Sequence, residues 1–229
     1  MARTARKRNF TPHRPIGIQF EDDSIIILDK PAGLLTIATE TERQETAYAY
    51  LFGYIKSKRP PEKLFIVHRL DREASGLLVF AKSEMAKRYL QQQFKEHSAG
   101  RVYHAVVQGR VMRNRQVIES YLAENAIHRS YSCPSPAKGK RAVTHVEVLK
   151  RSAQRTLLEV RLDTGRKHQI RVHLAEHGHP IVGDKAYGST SNPIRRLALH
   201  AVKLSFKHPK TGETVVFESP APPNFSSLI

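Results

Sequence analysis

The chain has 229 residues, enough for one large domain or two small ones with a true hydrophobic core. Its 38 Lys and Arg against 21 Asp and Glu give a net charge of +17, which points to a polyanionic partner, nucleic acid before an anionic membrane surface. A single cysteine, Cys133, excludes an internal disulfide and a zinc site of paired cysteines, and suits a reducing, cytoplasmic compartment. No apolar run reaches the ~20 residues of a membrane span.

Residues 1–17 read as a flexible basic arm, carrying Arg3, Arg6, Lys7, Arg8 and Arg14 and no acid. They have no signal-peptide core. The run 24-SIIILDKPAGLL-35 predicts a buried strand that Pro31-Ala32-Gly33 stops. A helix is expected near residues 44–57, with Ala47, Tyr50, Leu51 and Tyr54 at helical spacing and Pro60-Pro61 beyond it. Then 64-LFIVHRLD-71 and 77-LLVFAK-82 read as strands around a DREASG loop. Ser83 suits the N-cap of a helix over 84–97, with Ala86, Tyr89, Leu90 and Phe94 as its apolar stripe.

Strand 102-VYHAVVQG-109 follows, and residues 110–141 carry little periodic signal. The runs 143-VTHVEVLK-150 and 156-TLLEVRL-162 predict a strand pair, and 167-KHQIRVHLAEHG-178 a helix that Gly178 ends. Strands 197–206 and 214–219 form a hairpin about His208-Pro209-Lys210-Thr211-Gly212, and residues 223–229 read as a tail. Strands outnumber helices and most turns are short. The expected fold is therefore one α+β domain over residues 18–222, with a mixed, largely antiparallel sheet and flanking helices.

Four groups of residues could carry chemistry. Asp71 stands between Arg69 and Arg72, and cations beside a carboxylate favour its charged form. An ionised carboxylate serves as nucleophile or electrostatic stabiliser, while the plainer reading is a turn cap. Arg171, amid apolar neighbours on the predicted helix, needs an anion if it is buried and none if it is solvated. Tyr103 could stack on a base or donate its hydroxyl, or simply fill the core. His173 and His177 have the i, i+4 spacing of helical metal ligands but lack an HExxH glutamate. Asp163-Thr164-Gly165 matches the aspartic-protease triplet, yet a shared-proton pair needs a second carboxylate and the sequence has no second triplet.

Together the blocks resemble a known family. The run 67-VHRLDREASGLLVFAKS-83 is similar to the signature of RluA-type RNA pseudouridine synthases, close to HRLDxxTSGLLVFAK. The runs 25-IIILDKPAGLL-35, 164-TGRKHQIRVHLAEHGHPIVGDKAYG-188 and 197-LALHAVKLSFKHPKTGE-213 resemble its other blocks, in the family's order, across residues 18–222. The resemblance implies a pseudouridine synthase fold and isomerisation of uridine in ribosomal or transfer RNA, without metal, nucleotide or redox cofactor. It implies Asp71 as the catalytic aspartate, Tyr103 as the tyrosine that stacks on uracil, and Arg171 as the basic partner of the aspartate. Arg69 would fill the space left by the flipped base. Arg72, Arg166 and His168 are further candidates for substrate contact, and a cytoplasmic monomer is expected. Two departures stand out: Ala74 replaces the family's Thr, and Leu35-Thr36-Ile37-Ala38 lacks the usual Val-His.

Overall fold

The computed structural model describes residues 16–40, 42, 45–58 and 63–229. In chain order the elements are β1 (Gly17–Glu21), β2 (Ile25–Lys30), α1 (Ala47–Lys58), β3 (Phe65–Ile66), β4 (Ser75–Ala81), α2 (Glu84–Lys95), β5 (Gly100–Gln108), β6 (Arg115–Glu124), β7 (Ser130–Cys133), β8 (Lys140–Arg151), β9 (Arg155–Leu162), α3 (Gln169–Glu176), β10 (Leu199–Lys207), β11 (Thr214–Glu218) and α4 (Pro223–Ser226). Lys185–Tyr187 forms a 3-10 turn.

One mixed sheet runs β1-β2-β4-β10-β5-β9-β8-β6-β7, with β3 beside β4 and β11 beside β10. Among the named strands only β4 and β10 pair in parallel. This is the α+β architecture the sequence implied. The four-residue apolar run in β2 is explained by burial on both faces. Ile26 and Leu28 pack with Leu51 and Ile55 of α1 and Ile170 and Leu174 of α3. Ile25 and Ile27 point the other way, into a cluster with Ala86 and Leu90 of α2 and Phe206 of β10. Alternation of side chains along a strand makes both packings possible at once. The N-cap of α2 is as expected, Ser83 Oγ accepting from the Ala86 N–H at 3.1 Å.

The β4–β10 contact joins the two halves of the sheet and is short. His200 lies opposite Ser75 and Ala201 opposite Gly76, after which β11 takes over that edge of β10. A Cβ on Gly76 would lie 2.3 Å from the Ala201 carbonyl oxygen, and its φ of +109° is one that L residues rarely adopt. Only glycine lets these strands meet. The register then aligns Lys30, Gly76, Ala201, Tyr103, Val160 and Val146 across six strands. The candidate site residues gather over this row.

Three local expectations are corrected. The strand predicted over 64–71 is confined to Phe65–Ile66, and residues 67–74 are irregular because their backbone groups bond to side chains instead. The weakly periodic stretch 110–141 holds β6 and β7, half-exposed strands whose pattern exposure blurs. The last residues do not trail away: Phe225 and Leu228 are buried in the main core, and Arg155 Nη1 donates to the Leu228 carbonyl at 3.2 Å. Of the basic arm, residues 1–15 lie outside the described residues.

Candidate active site

Residues 67–74 cross the head of the sheet as an irregular loop, so each part of it must be held by something distant. Thr36, in the segment after β2, brackets Leu70. Its hydroxyl donates to the Leu70 carbonyl at 2.9 Å and accepts from the Leu70 N–H at 3.1 Å. Lys30 holds the far side from below. It is fully buried, and its ammonium lies 2.7 Å from the Ala74 carbonyl, 3.3 Å from that of Arg72, 2.8 Å from that of Leu34 and 3.1 Å from that of Pro31. Burial pushes the Lys30 pKa down to about 7, while Asp71 and Glu73 pull it back up. Gly33 closes the clamp, its N–H donating to the Arg72 carbonyl at 2.7 Å.

Asp71, at the exposed crest of this loop, retains 18% of its side-chain exposure. Arg171 Nη1 approaches its Oδ2 at 3.6 Å and Glu73 Oε2 at 3.3 Å. The firm partner of Arg171 is neither of these. Asp184, 1% exposed, takes Nε at 2.7 Å and Nη2 at 2.8 Å in a two-pronged pair. The anion that a buried helix arginine requires is thus Asp184, while Nη1 donates to Glu73 and also faces Asp71. Tyr187 covers the guanidinium, its ring centroid 5.0 Å from Arg171 Cζ and 5.1 Å from Arg129 Cζ. Burial lowers the Arg171 pKa, but the hydrogen bonds to Asp184 and the charges of Asp184, Asp71 and Glu73 outweigh it and raise the pKa overall.

The helix that carries Arg171 is itself embedded. Gln169 donates to the Val143 carbonyl and to Thr144 Oγ1, both at 2.9 Å, and accepts from Thr164 Oγ1 at 2.7 Å. His168 precedes α3 with a φ of +55°, a left-handed conformation that is sparsely used by residues with a Cβ. Its Nδ1 lies 2.8 Å from the Tyr187 hydroxyl. Burial, ahead of every other influence, lowers the His168 pKa.

These parts surround a cleft of about 730 Å³. Asp71, Arg69, Tyr103, Arg171, Arg166 and His168 all line it. Tyr103 is 7% exposed, and burial raises its pKa, so its hydroxyl keeps its proton. Arg69 and Arg166 are exposed on the rim, Arg166 Nε donating to the Arg141 carbonyl at 3.0 Å. Arg72 departs from expectation. Its Nε donates to the Gly33 carbonyl at 3.1 Å and the residue is not part of the cleft lining. Its neighbours clamp the loop, and Arg72 is drawn into that clamp.

The competing motifs are absorbed by structure. His173 Nδ1 and Nε2 lie 2.9 Å from Thr144 Oγ1 and Ser120 Oγ respectively, so neither nitrogen is free for a metal. Among the described residues no cluster of His, Cys, Asp or Glu is arranged to hold a metal ion. Asp163 accepts from His145 at 2.9 Å, and Thr164 Oγ1 accepts from the Val143 N–H at 2.8 Å. The sequence reading passed over Lys30, Thr36, Glu73, Asp184 and Arg101. For Asp184 a signal existed: Arg171 required an anion, and the block that carries Arg171 contains one other acid besides Glu176.

A charged cleft over the head of a mixed, largely antiparallel sheet is the arrangement of the pseudouridine synthase fold. Two human proteins bear the fold out: RNA Pseudouridylate Synthase Domain Containing 4 (TM-score 0.77, 23% identity, 92% of this chain and 90% of that one) and Domain Containing 1 (TM-score 0.74, 25% identity, 96% and 89%). The family model for RNA pseudouridylate synthase matches residues 24–176. The chain is 38% identical over 215 residues to the uncharacterized RNA pseudouridine synthase YhcT of Bacillus subtilis, covering 93% of this chain and 71% of that one. It is also 38% identical over 226 residues to ribosomal large subunit pseudouridine synthase D of Neisseria meningitidis, with 93% and 60% covered. The chain belongs to the RNA pseudouridylate synthase family, RluA type, and so to the isomerases. No helix among the described residues is long and apolar enough to cross a membrane.

Proposed function

We propose that this protein isomerises specific uridines of ribosomal RNA to pseudouridine, with Asp71 as the catalytic residue. One observation carries the reading: Arg171, pinned by Asp184, holds Nη1 between Glu73 at 3.3 Å and Asp71 at 3.6 Å in a cleft that Tyr103 also lines. The preference for ribosomal over transfer RNA follows the name of the Neisseria relative. The single cysteine agrees with action in the cytoplasm, and a cleft lined by residues of one chain with action as a monomer.

The reaction breaks the N1–C1′ bond, turns the uracil and joins C5 to C1′. The C5 proton goes to solvent and N1 gains one, so nothing is oxidised or reduced. Two routes are open to the carboxylate, attack at C1′ and removal of the C2′ proton, and both need it charged and fixed. Arg171 supplies a permanent cation for that purpose. Tyr103 offers a ring on which the uracil stacks and a protonated hydroxyl. Arg69, exposed at the rim, occupies the gap the flipped base leaves, offsetting about a few kcal/mol of unstacking. His168 and Arg166 contact the substrate from the opposite wall, and Arg72 acts through the loop.

The test is tritium release from RNA labelled at uracil C5. Unmodified ribosomal RNA transcribed in vitro should release tritium with the wild type and not with Asp71→Asn. No release by the wild type from ribosomal or transfer RNA overturns the activity. Full release by the variant overturns the role of Asp71.

A further inference from the structure

One buried cation of the cleft wall has no carboxylate within ion-pairing distance among the described residues. Arg101, on β5 two residues before Tyr103, is 9% exposed and lines the cleft wall. Its two hydrogen bonds both leave from Nη2, to the Leu162 carbonyl at 3.4 Å and the Asp163 carbonyl at 3.1 Å. Nε is buried with no partner, and among the described residues no carboxylate reaches the guanidinium. The groups around it are poor candidates for the missing charge. The Asp163 carboxylate is engaged by His145 and reaches Arg101 only through space, raising the Arg101 pKa against the effect of burial. Asp71 faces Arg171. His68, whose Nε2 accepts from the Val79 N–H at 3.2 Å, is kept neutral by burial, its pKa near 3. Tyr103 keeps its proton. The other nearby charges, Lys95 and Arg166, are positive.

Burying an unpaired guanidinium is costly, and burial does lower the Arg101 pKa. Its face rests 5.4 Å above the Phe94 ring, an attraction that does not replace an anion. Approach is kept open at Nη1, because any Cβ on Gly165 would sit 2.5 Å from it. A uracil carbonyl would accept a hydrogen bond but leave the charge unbalanced. A phosphodiester supplies both. Two residues along a strand is about 7 Å, the reach of one nucleotide from a base seated at Tyr103.

We propose that Arg101 is a phosphate subsite, holding the backbone phosphate next to the target uridine while Tyr103 holds its base. This rests on the modification reading above and adds a residue to it. Carbonyl contacts alone would make Arg101 a structural anchor of the 162–168 loop, and the two roles separate in their response to salt and to phosphate.

The experiment has two arms. In the first, the wild-type protein is titrated with uridine, uridine 5′-monophosphate, uridine 3′-monophosphate and uridine 3′,5′-bisphosphate, followed by NMR. A phosphate at one position should tighten binding about tenfold over uridine, and Arg101→Gln should abolish that preference. In the second, KM for tritium release from C5-labelled ribosomal RNA is measured from low to moderate salt. Arg101→Gln should raise KM at least tenfold with kcat nearly unchanged, and flatten the log–log salt slope by about 0.7–0.9, one phosphate contact. Arg101→Lys should keep the slope. Equal binding of uridine and its phosphates by the wild type, or an unchanged slope in a folded Arg101→Gln, overturns the subsite. Wild-type phosphate preference without any tritium release would instead overturn the modification reading and leave the subsite standing.

Discussion

The pair Arg171–Asp184 can be dissected so that stability and activity part company. The two side chains are 5% and 1% exposed and share two charge-assisted hydrogen bonds of 2.7 and 2.8 Å. Asp184→Ala strands a buried guanidinium, and Arg171→Met strands a buried carboxylate. Each should cost about 3–5 kcal/mol, because the survivor keeps its desolvation penalty and loses its partner. For a chain of this size that is a melting shift of about 6–20 °C. The double variant Arg171→Met/Asp184→Leu removes both charges and fills the space with apolar atoms, so it should recover most of the loss. Tritium release should not recover, since Asp71 then loses the guanidinium that faces it at 3.6 Å. Urea unfolding of the four proteins gives the coupling energy, and the tritium assay gives the activity. A double variant whose loss equals the sum of the two single losses would refute the buried-pair argument. A double variant that is both stable and fully active would refute the claim that Arg171 serves Asp71.

Three further outcomes are expected. Thr36→Val preserves shape but leaves the buried Leu70 N–H unpaired, costing about 1–3 kcal/mol in urea unfolding, and it should lower kcat more than it changes KM because Leu70 precedes Asp71. Gly76→Ala should cost more than any exposed glycine substitution, measured by thermal melting, since its Cβ would be 2.3 Å from a β10 backbone oxygen; a melting point equal to wild type would refute the close approach. His173 and His200 are each held neutral by burial, with pKa values lowered from 6.5 to about 4. The unfolded chain therefore takes up protons below pH 6.5 that the folded chain refuses until about pH 4, so stability is intact above that window and lost within it as pH falls. His68, with a pKa lowered to about 3, adds the same penalty over this range. At about 1.4 kcal/mol per pH unit each, urea unfolding at pH 5 should find about 6 kcal/mol less than at pH 7.5. His173→Gln should remove about a third of the slope, and a flat profile would refute the neutral-histidine assignment.

What could be read from the sequence was local or periodic. The Ser83 cap needs only residues three apart, and β2 announces its burial by four apolar residues in succession. The loop 67–74 was misjudged because its apolar residues Val67 and Leu70 suggest a strand, whereas its backbone bonds lead to Lys30 and Thr36, more than thirty residues away. Motif blocks gave the positions of Asp71, Tyr103 and Arg171, but not the partners that orient them. Asp184 lies thirteen residues from Arg171, beyond the helix. Arg72 looked equal to Arg69 by charge alone, and only the Gly33 carbonyl distinguishes them.

The family pattern is broken at two places, Ala74 and Thr36, and both belong to the same loop. Ala74 is 2% exposed and engages Lys30 through its carbonyl, a contact that any residue can make. No side-chain hydroxyl at position 74 is required for it. Thr36 brings a hydroxyl to the other end of the loop, at Leu70, one residue from Asp71. The loop is thus gripped on both sides of the carboxylate by groups outside it, Thr36 before and Lys30 after. Beyond Ala74, Ser75 continues the hold: its Oγ lies 2.7 Å from His200 Nδ1, and His200 Nε2 lies 3.1 Å from Ser219 Oγ, which donates to Asp29 at 2.6 Å. Because His200 is neutral, each member of that chain can donate once and accept once, ending on a carboxylate. A segment without regular hydrogen bonds of its own is therefore held on both sides of Asp71, which faces the cleft with Arg171 opposite and Lys30 beneath the loop.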